Sequence, residues 1–244
     1  MTAIKTINLS KNYGKHTAVD KLNLEIYDGE LFALLGVNGA GKTTTVKMLS
    51  TLTQPSAGDA LIFGYSILRD ATRIKEIVDI SMQESAIARK LSVEENLEFY
   101  ARLNGQNATE IQNNKERVYQ ILGLNGVAKK RAGQLSGGWQ RKLSIALSLI
   151  TNPRLLFLDE PTQGLDVLSR RELWSAIEDL KGKMTIILTT HYIEEAEALA
   201  DRIGVMKDGA LIFVGTKDEM YAYTGKHSVE EAFIQIVSGG CHNE

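Results

Sequence analysis

Lys42 closes a glycine-rich run and opens a run of threonines. The segment Gly36-Val-Asn38-Gly39-Ala40-Gly41-Lys42-Thr43, with Thr44 behind it, fills every fixed position of G-x-x-x-x-G-K-[ST]. Its glycines let successive backbone N–H groups turn inward onto a phosphate, and the positive end of the following helix adds to that field. Lys42 then reaches the β- and γ-phosphates of a nucleotide, and the Thr43 hydroxyl becomes a ligand for Mg²⁺. Asp159 and Glu160 close the apolar run Leu155-Leu-Phe-Leu158, where an α/β sheet places its ligand chemistry. Asp159 is placed to hold Mg²⁺, usually through water. Glu160 is placed to polarise the water that attacks the γ-phosphate.

A second anion-binding device sits elsewhere. Leu135-Ser136-Gly137-Gly138 precedes a helical pattern through Leu143, Ala146 and Ile150. It would offer a hydroxyl and backbone N–H groups at a helix start. One chain thus carries two phosphate-binding devices but a single phosphate loop. Two chains arranged head to tail would close two nucleotide sites, each site using both devices.

These residues need elements to position them. Ile4–Ile7 and Leu22-Asn-Leu24-Glu-Ile26 alternate as strands, and Tyr27-Asp-Gly29 reads as a turn. Leu31–Leu35, Leu155–Leu158 and Thr185–Leu188 are continuous apolar runs, the pattern of strands buried on both faces of a parallel sheet. A helix is expected from about Lys42 to Leu52, with Val46, Leu49 and Leu52 on one face, then a strand from Ala60 to Phe63. From about residue 84 to 150 the pattern is helical. Ser92 with Glu95, and Thr109 with Gln112, read as capping boxes. A last helix is expected to start at Ser228 and run through Phe233 and Ile236.

In order along the chain stand the phosphate loop, Gln83, Leu-Ser-Gly-Gly, Leu-Leu-Phe-Leu-Asp-Glu-Pro, Gly164-Leu-Asp166 and His191. This set resembles the ATP-binding subunits of ABC transporters, from Tyr13 to about Gly215. The resemblance implies a P-loop NTPase fold: an α/β core with a mostly parallel sheet, an N-terminal antiparallel β subdomain and an inserted α-helical subdomain. It divides a single ATPase domain into a core of residues 1–83 and 151–216, a helical part of 84–150 and a tail of 217–244. It also implies that Tyr13 stacks on adenine, that Gln83 links Mg²⁺ and the attacking water to the helical insertion, that Asp166 communicates across a dimer and that His191 contacts the γ-phosphate. Trp139, Gln163 and Val167 depart from the commonest pattern, which has glutamine, serine and proline there. None of the three removes a group expected to touch phosphate. Trp139 and the stretch Leu49–Gly58 are similar to drug-resistance-type exporters of the family.

The bulk properties set limits on partners. The 244 residues carry 28 basic and 30 acidic side chains, a net charge of -2, which gives no general reason to expect nucleic acid as a partner. Cys241 is the sole cysteine, so no internal disulfide can form, and low cysteine use fits a reducing cytoplasm. No segment approaches the ~20 apolar residues of a membrane span. Membrane work is therefore expected to pass through a separate integral permease, with this chain peripheral at the inner face of the membrane. Three other readings compete. A soluble mechanical ATPase on DNA would need a long coiled coil, and one on ribosomes two motif sets in one chain. A small-molecule kinase would leave Leu135–Gly138 and Gln83 unexplained. The short tail from Lys217 weighs against an importer with a C-terminal regulatory domain.

Overall fold

A computed structural model describes residues 1–82 and 87–239. Strand β1 (Thr2–Tyr13) lies antiparallel to two partners in succession, β2 (His16–Leu22) against its second half and β3 (Glu25–Tyr27) against its first. The single strand expected over Leu22–Ile26 is therefore broken in two. Lys21 has a left-handed φ of 42°, and the interruption at Leu24 is mended by Thr6. The Thr6 hydroxyl donates to Leu22 O at 2.9 Å and accepts from Leu24 N at 2.7 Å, so the gap buries no unpaired backbone group.

The buried strand β4 (Leu31–Gly36) leads through the glycine loop into helix α1 (Lys42–Leu49). This helix is shorter than its apolar spacing suggests. Ser50 caps it, Thr51 turns at a φ of 60°, and Leu52 is 56% exposed. Strand β5 (Ala57–Ile62) returns to β1 and pairs with the short β6 (Tyr65–Ser66). Helix α2 (Ala71–Ile77) and strand β7 (Val78–Ser81) follow.

The helical stretch contains α3 (Val93–Leu103), α4 (Ala108–Leu122) and α5 (Gly137–Leu149). Ser92 and Glu95 form a reciprocal capping box at the start of α3. For α4 the box is Asn107 with Glu110, two residues before the expected Thr109 and Gln112. Asparagine ranks above threonine as a cap, and here Asn107 Oδ1 accepts from both Thr109 N and Glu110 N at 3.0 Å. The chain then alternates: β8 (Leu155–Asp159), α6 (Val167–Glu178), β9 (Thr185–Thr190), α7 (Ile193–Leu199), β10 (Arg202–Lys207) and β11 (Ala210–Gly215). In the tail, α8 (Lys217–Thr224) precedes the expected helix, α9 (Val229–Ser238), whose cap is Ser228.

Two sheets result. One orders β2-β1-β5-β6, with β3 also on β1 and every pairing antiparallel. The other orders β11-β10-β4-β9-β8-β7, parallel throughout except where β11 meets β10. Alternation along the parallel strands feeds two cores. Phe32, Leu34, Leu155 and Phe157 pack with Ile4, Val46 and Ile62 between the two sheets. Leu31, Ala33, Leu156 and Leu158 pack on the other face with Leu97, Val118, Leu143 and Leu147 of the helical insertion. The insertion is thus seated on the sheet face next to β8, the strand that ends in Asp159 and Glu160.

Candidate nucleotide site

The loop between β4 and α1 has glycines where a side chain cannot fit. A Cβ on Gly36 would lie 2.5 Å from Met206 O. Gly41 has a φ of 103° and its Cβ would meet Ala18 O at 2.4 Å, so the loop closes only with hydrogen at both places. The Lys42 ammonium folds back over the loop, donating to Gly36 O at 2.7 Å and Val37 O at 3.2 Å. It stands 3.4 Å from Glu160 Oε1. Burial lowers the pKa of Lys42, and the carboxylates of Glu160 and Asp159 oppose that fall.

Parallel pairing of β8 with β9 brings the acidic pair to the loop. Asp159 is 1% exposed. It accepts from the Thr43 hydroxyl at 3.0 Å on each oxygen and from the Thr189 hydroxyl at 2.5 Å. This set of hard oxygen donors suits Mg²⁺, which takes one or two carboxylates and completes its shell with phosphate and water. Glu160 turns out of the strand with a left-handed φ of 50°, rare for a residue with a side chain and concentrated at functional sites. His191 donates from Nδ1 to Glu160 Oε2, which leaves its Nε2 for another partner.

Tyr13, Asn38 to Thr44 and Glu160 line one cavity of about 360 Å³. Tyr13 is half exposed at the end of β1, directly opposite His16 in the hairpin. His16 and Ala18, not singled out from the sequence, also line this cavity, as does Gln163, noted there only as a departure from the commonest pattern. The signal for the first two was positional, since cross-strand neighbours of a binding tyrosine share its face. Thr189 was missed as well, although it stands two residues before His191 on β9.

The model of the family described as ABC transporter matches residues 19–163. This chain belongs to the ABC transporter family. It is 40% identical over 230 residues to the daunorubicin resistance ATP-binding protein DrrA3 of Streptomyces coeruleorubidus, a match covering 94% of this chain and 73% of that protein. It is 38% identical over 239 residues to the doxorubicin resistance ATP-binding protein DrrA of Mycobacterium tuberculosis, covering 96% of this chain and 70% of that one. Among solved structures, an ATP-binding subunit of an ABC transporter superposes with a TM-score of 0.85 at 26% identity, over 96% of this chain and 99% of the other.

The remaining ABC motifs are not gathered into the cavity. Ser136 caps α5 by position, yet its hydroxyl makes no capping bond, and Ser136 and Gly137 are exposed. A Cβ on Gly138 would come within 2.8 Å of Ser169 Oγ, so this glycine lets α5 approach α6. Asp166 caps α6, accepting from Leu168 N and Ser169 N at 3.0 Å and from Ser169 Oγ at 2.7 Å. These bonds hold its carboxyl below the usual range. Gln83 lies outside the described residues. Among the described residues no helix is long and apolar enough to cross a membrane.

Proposed function

We propose that this chain is the ATP-hydrolysing subunit of an exporter, working head to tail with a second copy beneath a separate membrane permease. The observation that carries the catalytic part is the single cleft in which Lys42, the Thr43–Asp159 pair and the Glu160–His191 pair meet. Adenine rests on Tyr13, and the phosphates lie along the N–H groups of residues 38 to 44. Lys42 exchanges its contacts with Gly36 O and Glu160 for the β- and γ-phosphate oxygens. Thr43 and Asp159 would hold Mg²⁺, which when bound would neutralise phosphate charge. Glu160 polarises the attacking water while His191 fixes the direction of its carboxylate, and Nε2 of the same imidazole faces the γ-phosphate. By the family resemblance, Gln83 would link Mg²⁺ and the attacking water to the helical insertion.

The exposed Ser136-Gly137 segment supports the dimer, since it lies outside the lining of its own chain's cavity and is open to close the partner's site. Asp166 stands close to that segment, since its hydrogen-bond partner Ser169 is the side chain that Gly138 lets approach. Export is supported by the drug-resistance names of two relatives covered over most of their length. The location follows: peripheral, at the cytoplasmic face of the permease. Phosphate release from ATP by the purified chain, lost in Lys42→Ala, is the direct test. A chain that releases none with MgATP, alone or with its permease, defeats the reading.

A further inference from the structure

Arg141 lies on α5, one turn inside the helix that Ser136 opens. It is 6% exposed, and its guanidinium reaches three main-chain carbonyls on two other segments. Nε donates to Pro161 O at 2.7 Å and Nη2 to Asp159 O at 2.8 Å. Nη1 donates to Met82 O at 2.7 Å. Asp159 and Pro161 flank Glu160, whose left-handed φ of 50° needs its surroundings to hold it. Met82 is the residue before Gln83.

We propose that Arg141 is a positioning residue, whose planar fork fixes the backbone on both sides of Glu160 and ties it to Met82, just after β7, and to the Ser136 helix. A buried cation is costly unless its donors are matched, and the bonds to Pro161 O, Met82 O and Asp159 O, at 2.7 to 2.8 Å, have the short geometry of charge-assisted contacts. Apolar packing could fill the same space but could not hold three carbonyls at once. The fork also makes the three segments move together. A displacement of α5, brought about when Ser136 meets a phosphate, is passed to the peptide units on either side of Glu160. Glu160 Oε1 lies 3.4 Å from the Lys42 ammonium, so the catalytic turn is held by the fork at its backbone and met by the ammonium at its side chain. This assignment rests on Glu160 acting on the attacking water.

The test uses the purified full chain, with MgATP affinity, turnover and thermal unfolding measured on each variant. Arg141→Lys keeps the charge and loses the planar fork. The expected result is a fall in kcat of about 10- to 100-fold, the scale of a small misplacement of a catalytic group. ATP affinity should stay within about twofold, since ground-state binding is not what the fork supplies. Placed on Glu160→Gln, the same change should cost nothing further, because the group being positioned has already been disabled. If Arg141→Lys does not fold, Arg141→Gln, which keeps two N–H donors, carries the same measurements. Parental turnover in a folded variant overturns the proposal. So does loss of folding in both variants, or a loss of turnover matched by loss of ATP binding, either of which gives Arg141 a merely structural role. A Glu160→Gln variant with parental turnover would instead defeat the catalytic reading beneath it, so the two failures are distinguishable.

Discussion

The Thr43 hydroxyl lies 3.0 Å from each carboxylate oxygen of Asp159, across 116 residues of sequence. The pair joins the start of α1 to the end of β8, and both groups are hard oxygen donors. If they hold Mg²⁺, Asp159→Asn should raise the Mg²⁺ concentration for half-maximal ATPase activity by about 10- to 100-fold, as for other groups that hold a metal through its water. Titration of the ATPase with Mg²⁺ decides it. An unchanged midpoint removes Asp159 from the metal site.

Glu160 and Lys42 should separate binding from chemistry. Glu160→Gln keeps the shape of the side chain and its hydrogen-bonding reach toward His191, and loses the basicity. It should bind MgATP as the parent does while kcat falls by ~100-fold or more. Lys42→Ala removes the charge that meets the phosphates and should weaken binding itself. Equilibrium binding and phosphate release, measured on the same preparations, make the comparison. Parental turnover in the glutamine variant would show that another group handles the water.

Much of this was legible because the determining signals are local. The doubly buried strands, the phosphate loop and the Asp159–Glu160 pair each announce themselves within a few residues. The missed features depend on distant partners. Thr6 decides where β2 ends and β3 begins, and nothing near Leu22 says so. Arg141 reads as one more polar residue on an amphipathic helix until β8 and the chain after β7 are folded against it. The strand β7 itself, Val78-Asp-Ile-Ser81, holds an acid in the middle of its short run, which hides it from any apolar-run criterion.

That acid makes a pH prediction. Burial raises the Asp79 carboxyl from its ordinary 3.8 to about 6, against hydrogen bonds from Ile80 N, the Thr151 hydroxyl and the Tyr100 hydroxyl that favour its charge. The native state therefore keeps this proton over a range where the unfolded chain has released it. Stability from this group is present below about pH 4 and is lost as pH rises to about 6, then stays constant. The displacement amounts to at most ~3 kcal/mol. An Asp79→Asn variant has no proton to release, so its stability relative to the parent should rise between those values and then level. Denaturant unfolding of both proteins at acid and neutral pH measures it. A difference that does not change with pH would show that Asp79 is not shifted.

Ser136 tests the dimer. MgATP should drive the Glu160→Gln variant into dimers, because hydrolysis no longer reopens them. A carboxylate introduced by Ser136→Glu would face the partner's γ-phosphate at short range in a poorly hydrated site and repel it. Sedimentation of the single and double variants with MgATP reads both effects. Dimers that persist in the double variant would exclude the head-to-tail arrangement.

The permease contact is the last test, and the structure changes which residues suit it. From sequence, the segment Glu84–Leu91 is the natural docking surface, with Ala86, Ile87, Ala88 and Leu91 as its apolar lining. Residues 84–86 lie outside the described ones. Ile87 is half-buried and packs against the helical core, and Ala88 is pinned to α3 by Asn96, which accepts from Ala88 N at 2.9 Å and donates to Ala88 O at 3.1 Å. A charge at Ile87 would therefore disturb the insertion as well as any partner. Phe99 and Leu103, one turn apart on the same α3 helix, are 54% and 67% exposed and can be changed without opening the core. Both substitutions, Phe99→Glu and Leu103→Glu, should leave folding and MgATP binding intact. If the permease docks here, each should lower recovery of the chain with membranes containing that permease, because a charge must then be desolvated at the contact. Ile87→Glu should lower recovery too, but together with thermal stability. Co-purification of the parent and the three variants separates the effects. Equal recovery of the parent and the two α3 variants would move the contact off this helix, and a parent that associates with no membrane protein would remove the transporter subunit reading.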